Sequence, residues 1–201
     1  MMNKNSFQIR LLTPSDGSAL ADLLAKSPDT GNMTVAMRFE LNTFQAICTL
    51  RPGNLIYGAD SDKQKLVGSG ALELGDCQWE ERIVPFALQS TLVVHPEHRG
   101  KGVAARLIGH RLERADQHLQ GCGVLWAIIQ QQNRQSESAA RKWATAVVPN
   151  RIVTVTLPMH TLSPACKAPC SVRPPAPNEM TAVAEQLNRY YSRYNFHYLT
   201  V

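Results

Sequence analysis

The chain has 201 residues, 44% of them hydrophobic and 18% charged, which is enough for one well-packed core with room for part of a second. No apolar run is long enough for a membrane-spanning helix, and the N-terminus (MMNKNSFQIR) has no apolar core of a secretory signal. A formal charge of +5 and a pI near 9.1 favour an anionic partner. The basic residues form no dense run with interleaved aromatics, so the pattern argues against nucleic acid.

In chain order, Phe7–Leu11 alternates like a short strand, and Thr13-Pro14-Ser15-Asp16 supplies turn and capping chemistry. Ala19, Leu20, Leu23 and Leu24 then recur at helical spacing up to Pro28. A second helix is expected within Phe39–Leu50, stopped by Pro52. Asn54–Ala59 and Lys65–Leu74 read as a hairpin around Ser61–Gln64. Gly75–Arg82 reads as a polar turn, and Ile83–Val94 as a long strand. Gly102–Leu119 is an amphipathic helix with Ala104, Leu107, Ile108, Leu112, Ala115 and Leu119 on its apolar face. Arg106, Arg111, Glu113 and Arg114 fall elsewhere. Val124–Ile129 is a continuous apolar run, as expected of a buried strand. Ser136–Ala146 reads as a short helix and Arg151–Leu157 as a final strand. The expected fold is α/β: a mixed sheet with helices on both faces.

Beyond Pro158 the composition changes. Six prolines and two cysteines fall between Pro158 and Pro177, as in a linker. Residues 171–188 then align without gaps on residues 8–25. Arg173 falls on Arg10, Pro177 on Pro14 and Glu179 on Asp16, and a similar helical pattern follows. The expected organisation is a domain over 1–160, a Pro-rich linker over 161–177, and a strand-helix segment over 171–201 like the opening of a second copy. The five cysteines show no metal-site spacing, and scattered free thiols suggest a reducing cytoplasm.

The most informative stretch is Val93-Val94-His95-Pro96-Glu97-His98-Arg99-Gly100-Lys101-Gly102-Val103-Ala104. Glycines at the start of a helix suit a bound phosphate. The ATP-loop pattern is absent, because Lys101 is followed by Gly102 and not by a hydroxyl residue. A dinucleotide fingerprint is met literally by Gly100, Gly102 and Ala105. Its context is wrong, since Pro96 and a polar tetrad separate strand from glycine, and no acid ends the next strand.

The stretch resembles the acyl-CoA loop of the GCN5-related N-acetyltransferases (GNAT family), whose signature Gln/Arg-x-x-Gly-x-Gly/Ala is met by Arg99, Gly102 and Ala104. The resemblance extends over the element order from Phe7 to Leu157. It implies a mostly antiparallel sheet flanked by helices, acetyl-CoA as cofactor, and transfer of acetyl to a small-molecule or peptide amine. On it, Arg99, Gly100, Lys101, Gly102, Val103, Ala104 and Ala105 would form the pyrophosphate site, with the amides of Lys101–Ala105 doing most of the holding and Arg99 and Lys101 adding charge. The backbone of Leu92, Val93 and Val94 would orient the thioester, and Asn133 fits a recurrent asparagine. Glu73 is the first candidate for the base and Glu40 the second, with Ser90 and Thr91 near a relay water. The tyrosine that many relatives use to protonate the thiolate is missing from residues 133–143. Trp143 takes roughly its place, so either Ser136, Ser138 or a water serves as the donor, or CoA leaves as the thiolate. A non-catalytic acyl-CoA-binding module is the alternative. No membrane partner is expected, and oligomeric state stays open, a homodimer among the options.

Overall fold

The computed structural model describes residues 7–31, 34–63, 65–148, 173–194 and 197–198. The expected final strand at 151–157 and the linker at 161–172 lie outside the described residues. A mixed sheet runs in the order β1 (Gln8–Leu11), β4 (Asn54–Asp60), β5 (Leu66–Trp79), β6 (Arg82–Val94), β7 (Val124–Ala127). Every pair is antiparallel except β6 with β7. A separate short hairpin pairs β2 (Asp29–Thr30) with β3 (Thr34–Val35). β8 (His197–Tyr198) joins β5 at Cys77 and Gln78, beyond the stretch that β4 covers.

α1 (Gly17–Lys26) and α2 (Thr43–Leu50) bury Leu20, Leu23, Leu24 and Ile47 against Leu12, Ile56, Leu66 and Ala71. α3 (Val103–Leu119) packs Val103, Leu107 and Ala115 against Val67, Leu72 and Ala87. Helices therefore cover both faces. Each clustered leucine removed from water contributes on the order of 1.5–3 kcal/mol.

Three expectations change. Gly75–Arg82 is not an open turn: β5 continues to Trp79, and only Glu80 and Glu81, both at positive φ, make the bend. Gly75 permits this, because a Cβ there would lie 2.9 Å from the ring of Phe86 on the facing strand. β7 is half-buried along its length rather than fully buried, because it pairs only with β6 among the described residues. Arg111, expected off the apolar face of α3, is fully buried.

α4 (Arg134–Ala140) follows β7, and α5 (Met180–Tyr191) lies in the C-terminal segment. The entries to α1 and α5 share three hydrogen bonds. Arg10 donates to both carboxylate oxygens of Asp16 at 2.8 and 2.9 Å, and the Thr13 amide bonds the same carboxylate at 2.8 Å. Arg173 donates to both oxygens of Glu179 at 2.6 and 2.7 Å, and the Ala176 amide bonds it at 2.7 Å. Each carboxylate closes a single turn of 3-10 helix, Pro14–Asp16 or Pro177–Glu179, ahead of its α-helix. The apolar side of α1 is buried, whereas Val183, Leu187, Tyr190 and Tyr191 of α5 remain exposed.

Candidate active site

β6 ends at Val94, and Pro96–His98 forms one turn of 3-10 helix before α3 begins. Two contacts fix this connection to the sheet. The His95 amide donates to Val67 O at 2.9 Å, and Arg99 Nε donates to Val94 O at 3.2 Å. Gly100 and Gly102 have φ of +73° and +85°, where L side chains are strained. A Cβ at either position would meet no atom within 4 Å. These glycines are therefore required by backbone conformation and not by crowding.

Among the described residues, the amides of 100–105 donate to no backbone carbonyl; the first bond into α3 runs from the Arg106 amide to Gly102 O. No side chain caps the helix at Gly102 either. A run of unpaired N–H groups at the start of a 17-residue helix carries partial positive charge and suits an anion. Lys101 adds to it and, after burial, is the next cause holding the His98 imidazole below its ordinary value. His98 packs edge-on against Phe7 and His95.

Beside the loop, β6 carries a bulge. The register steps from Ser69↔Val93 to Ala71↔Ser90, so Gly70 alone faces Thr91 and Leu92. Thr91 has φ +50°. On the other side of β6, pairing with β7 ends at Gln89↔Ala127. Past Gln89, β6 has a strand neighbour on one side only among the described residues, which leaves an open edge leading to the glycine loop. The side chains of Leu92 and Val94 pack toward α3 and that of Val93 toward α1 and α2. What these residues offer a ligand is therefore backbone. Gln89 Nε2 and Ser90 Oγ, on consecutive residues of β6, are each buried with no protein partner among the described residues.

Glu73 is buried on β5 and is not a solvent-facing strand residue. Its carboxylate accepts from Arg51 Nη1 at 2.8 Å, and Arg51 is half-exposed at the end of α2. Glu40 lies in the segment before α2 and is exposed. Asn133 caps α4, its Oδ1 accepting from the Ser136 amide at 3.1 Å. Ser138 is exposed on α4, Ser136 is partly buried, and Trp143 is half-buried just beyond the helix. The structure thus gathers the loop 99–105, the bulge at Thr91–Leu92 and the open edge of β6. Asn133 and Ser138 lie on the segment that follows β7, and Glu73 lies farther along β5. Sequence reasoning missed Arg51, Gln89 and Arg111. Arg111 had one visible signal, its place at four-residue steps between Leu107 and Ala115.

The sequence profile of the acetyltransferase (GNAT) family matches residues 20–144. No curated protein matches the sequence. Solved structures with a similar fold include an acetyltransferase of Trypanosoma brucei, with TM-score 0.57, 19% identity, and coverage of 76% of this chain and 100% of that one. An aminoglycoside antibiotic 6'-N-acetyltransferase of Acinetobacter baumannii gives TM-score 0.56 at 16% identity over 77% and 99%. A ribosomal-protein-alanine N-acetyltransferase of Brucella melitensis gives 0.53 at 21% over 75% and 99%.

Proposed function

The chain belongs to the acetyltransferase (GNAT) family, and on that premise we propose that it is an N-acetyltransferase that takes acetyl from acetyl-CoA and delivers it to an amine. The observation that carries this reading is the run of unpaired amides at 100–105 around two positive-φ glycines, next to the open edge of β6. When bound, acetyl-CoA supplies the activated acyl group. The amides of 100–105 hold its pyrophosphate, with Lys101 adding charge. Arg99 contributes by tying the loop to Val94 O. The backbone of Leu92–Val94 orients and polarises the thioester carbonyl.

Glu73 accepts the proton of the attacking ammonium, and Arg51 fixes its carboxylate meanwhile. Ser138 is the hydroxyl proposed to donate to the leaving thiolate, on the helix that follows β7. The acceptor is a small-molecule or peptide amine. An aminoglycoside and a ribosomal-protein alanine figure in the names of two proteins of like fold, and the fold leaves that choice open. No nucleic acid or membrane partner is proposed, and no helix among the described residues is long and apolar enough to cross a membrane. A cytoplasmic location and a homodimer complete the proposal.

The matched entries to α1 and α5 support a duplicated opening, with a domain over 1–160, a linker over 161–177 and a second strand-helix start over 171–201. One sequence observation favours the alternative of a non-catalytic acyl-CoA-binding module, the absence of a tyrosine from residues 133–143. Release of free thiol from acetyl-CoA across a panel of amines separates the two. Amine-dependent release supports the enzyme. Tight CoA binding with no turnover on any amine supports the module.

A further inference from the structure

Arg111 sits where α3 calls for an apolar residue. Val103, Leu107 and Ala115 share its stripe and are buried, and Arg111 itself is 1% exposed. Its Nε donates to Leu107 O of its own helix at 3.2 Å. Its Nη1 crosses to the sheet, donating to Ala71 O at 3.0 Å and Ser90 O at 3.2 Å. Those carbonyls belong to facing residues, the last pair before β6 takes in its extra residue. Gly70 makes the room: a Cβ there would lie 2.9 Å from the guanidinium carbon.

All these hydrogen bonds go to carbonyl oxygens, and among the described residues no carboxylate pairs with Arg111. Burial pushes its pKa down to about 10, which still leaves it charged at neutral pH. Apolar replacement of a buried ionic group is often neutral or stabilising, so a buried arginine is poorly explained by stability alone. A β-branched residue at positive φ, such as Thr91, persists only where its surroundings fix it. Arg111 holds the backbone immediately before that residue.

We propose that Arg111 is a positioning residue for acyl transfer: by clamping the Ala71 and Ser90 carbonyls it fixes the bulge at Thr91–Leu92 and so aims the Leu92–Val94 amides at the thioester carbonyl. Its uncompensated charge adds positive potential behind those amides, where negative charge develops. The inference rests on the acetyltransferase reading. Arg111 itself touches no substrate.

The test compares wild type, Arg111→Met and Arg111→Lys by three readouts: CoA affinity by titration calorimetry, thiol release, and the thioester carbonyl stretch of bound acetyl-CoA by difference infrared spectroscopy. Wild type is expected to shift the stretch to lower frequency than in free acetyl-CoA. In R111M the stretch returns toward the free value and kcat falls by about 100-fold, while CoA affinity stays within about threefold because the loop amides are untouched. R111K, which keeps the charge and can reach one carbonyl, falls between. A folded R111M with the wild-type stretch and kcat overturns the proposal, as does wild type binding acetyl-CoA with no displacement of the stretch. Should R111M not fold, R111K decides: an intermediate stretch and kcat support the proposal and wild-type values overturn it. Failure of both variants to fold makes Arg111 purely structural and also overturns it. Wild type that binds no acetyl-CoA sinks the underlying reading, whereas failure of this inference alone shows as an active wild type matched by R111M.

Discussion

Replacing Gly102 with alanine isolates the backbone conformation of the loop from its packing. The added Cβ meets nothing within 4 Å, so there is no clash to relieve. What remains is φ at +85°, the left-handed region, which costs an L residue roughly 1–2 kcal/mol. The fold carries that cost as a fall in Tm of about 2–8 °C. Ligand binding suffers more, because relieving the strain rotates the peptide planes on either side of residue 102. Losing one charge-assisted amide–phosphate bond costs about 1.5–3 kcal/mol, or a CoA Kd weaker by roughly 10- to 150-fold. The assay is titration calorimetry with CoA beside a thermal melt. Gly109→Ala is the control: it lies inside α3, also faces open space, and should stabilise the protein by about 0.5–1 kcal/mol without changing affinity. G102A binding CoA within twofold of wild type, with an intact fold, would refute the reasoning.

Glu73→Gln keeps the shape of the buried side chain and leaves Arg51 half-exposed to water, so stability should change by no more than about 1 kcal/mol; kcat should fall by about 100-fold or more, and a near-wild-type kcat would move the base elsewhere. Asp16→Asn removes the negative charge and one of the two oxygens that bond Arg10 and the Thr13 amide and should cost about 1–2 kcal/mol. The hydrogen bonds from Arg10 hold the Asp16 carboxyl below its ordinary value of 3.8. Its contribution is therefore present above that pH and lost as pH falls below it, and D16N should flatten this acid limb in pH-dependent melts. Burial, with Lys101 and His95 behind it, holds His98 below its ordinary 6.5. The unfolded chain then takes up that proton first, so stability drops as pH falls from 6.5, and His98→Gln should lessen the slope measured by denaturant titration between about pH 6.5 and 5.

The glycine loop was legible because its determinants are local: a proline after a strand, glycines where φ must be positive, and an amphipathic helix at once behind. The pairing of Glu73 with Arg51 was not, since it joins residues that only the tertiary fold brings together. The extension of β5 past Leu74 was hidden for a related reason. Gly75, Asp76 and Gln78 read locally as a turn, whereas pairing with β6, and with β8 at Cys77 and Gln78, holds them in the ladder. Arg111 departs from the general rule that a charged side chain faces solvent. Only the freed carbonyls of a bulge and the space above Gly70 explain its burial. Val124–Ala127 reads as buried from its apolar run, and its position at the sheet edge among the described residues depends on topology rather than composition.

The proposed pyrophosphate cradle at the amides of 100–105, serving the open edge of β6, has a direct readout. It is tested most directly by titrating the protein with CoA and with pantetheine, which keeps the thiol arm and lacks the pyrophosphate. With two or more charge-assisted amide bonds at stake, CoA should bind at least about 100-fold more tightly. Equal affinities for the two would contradict the account.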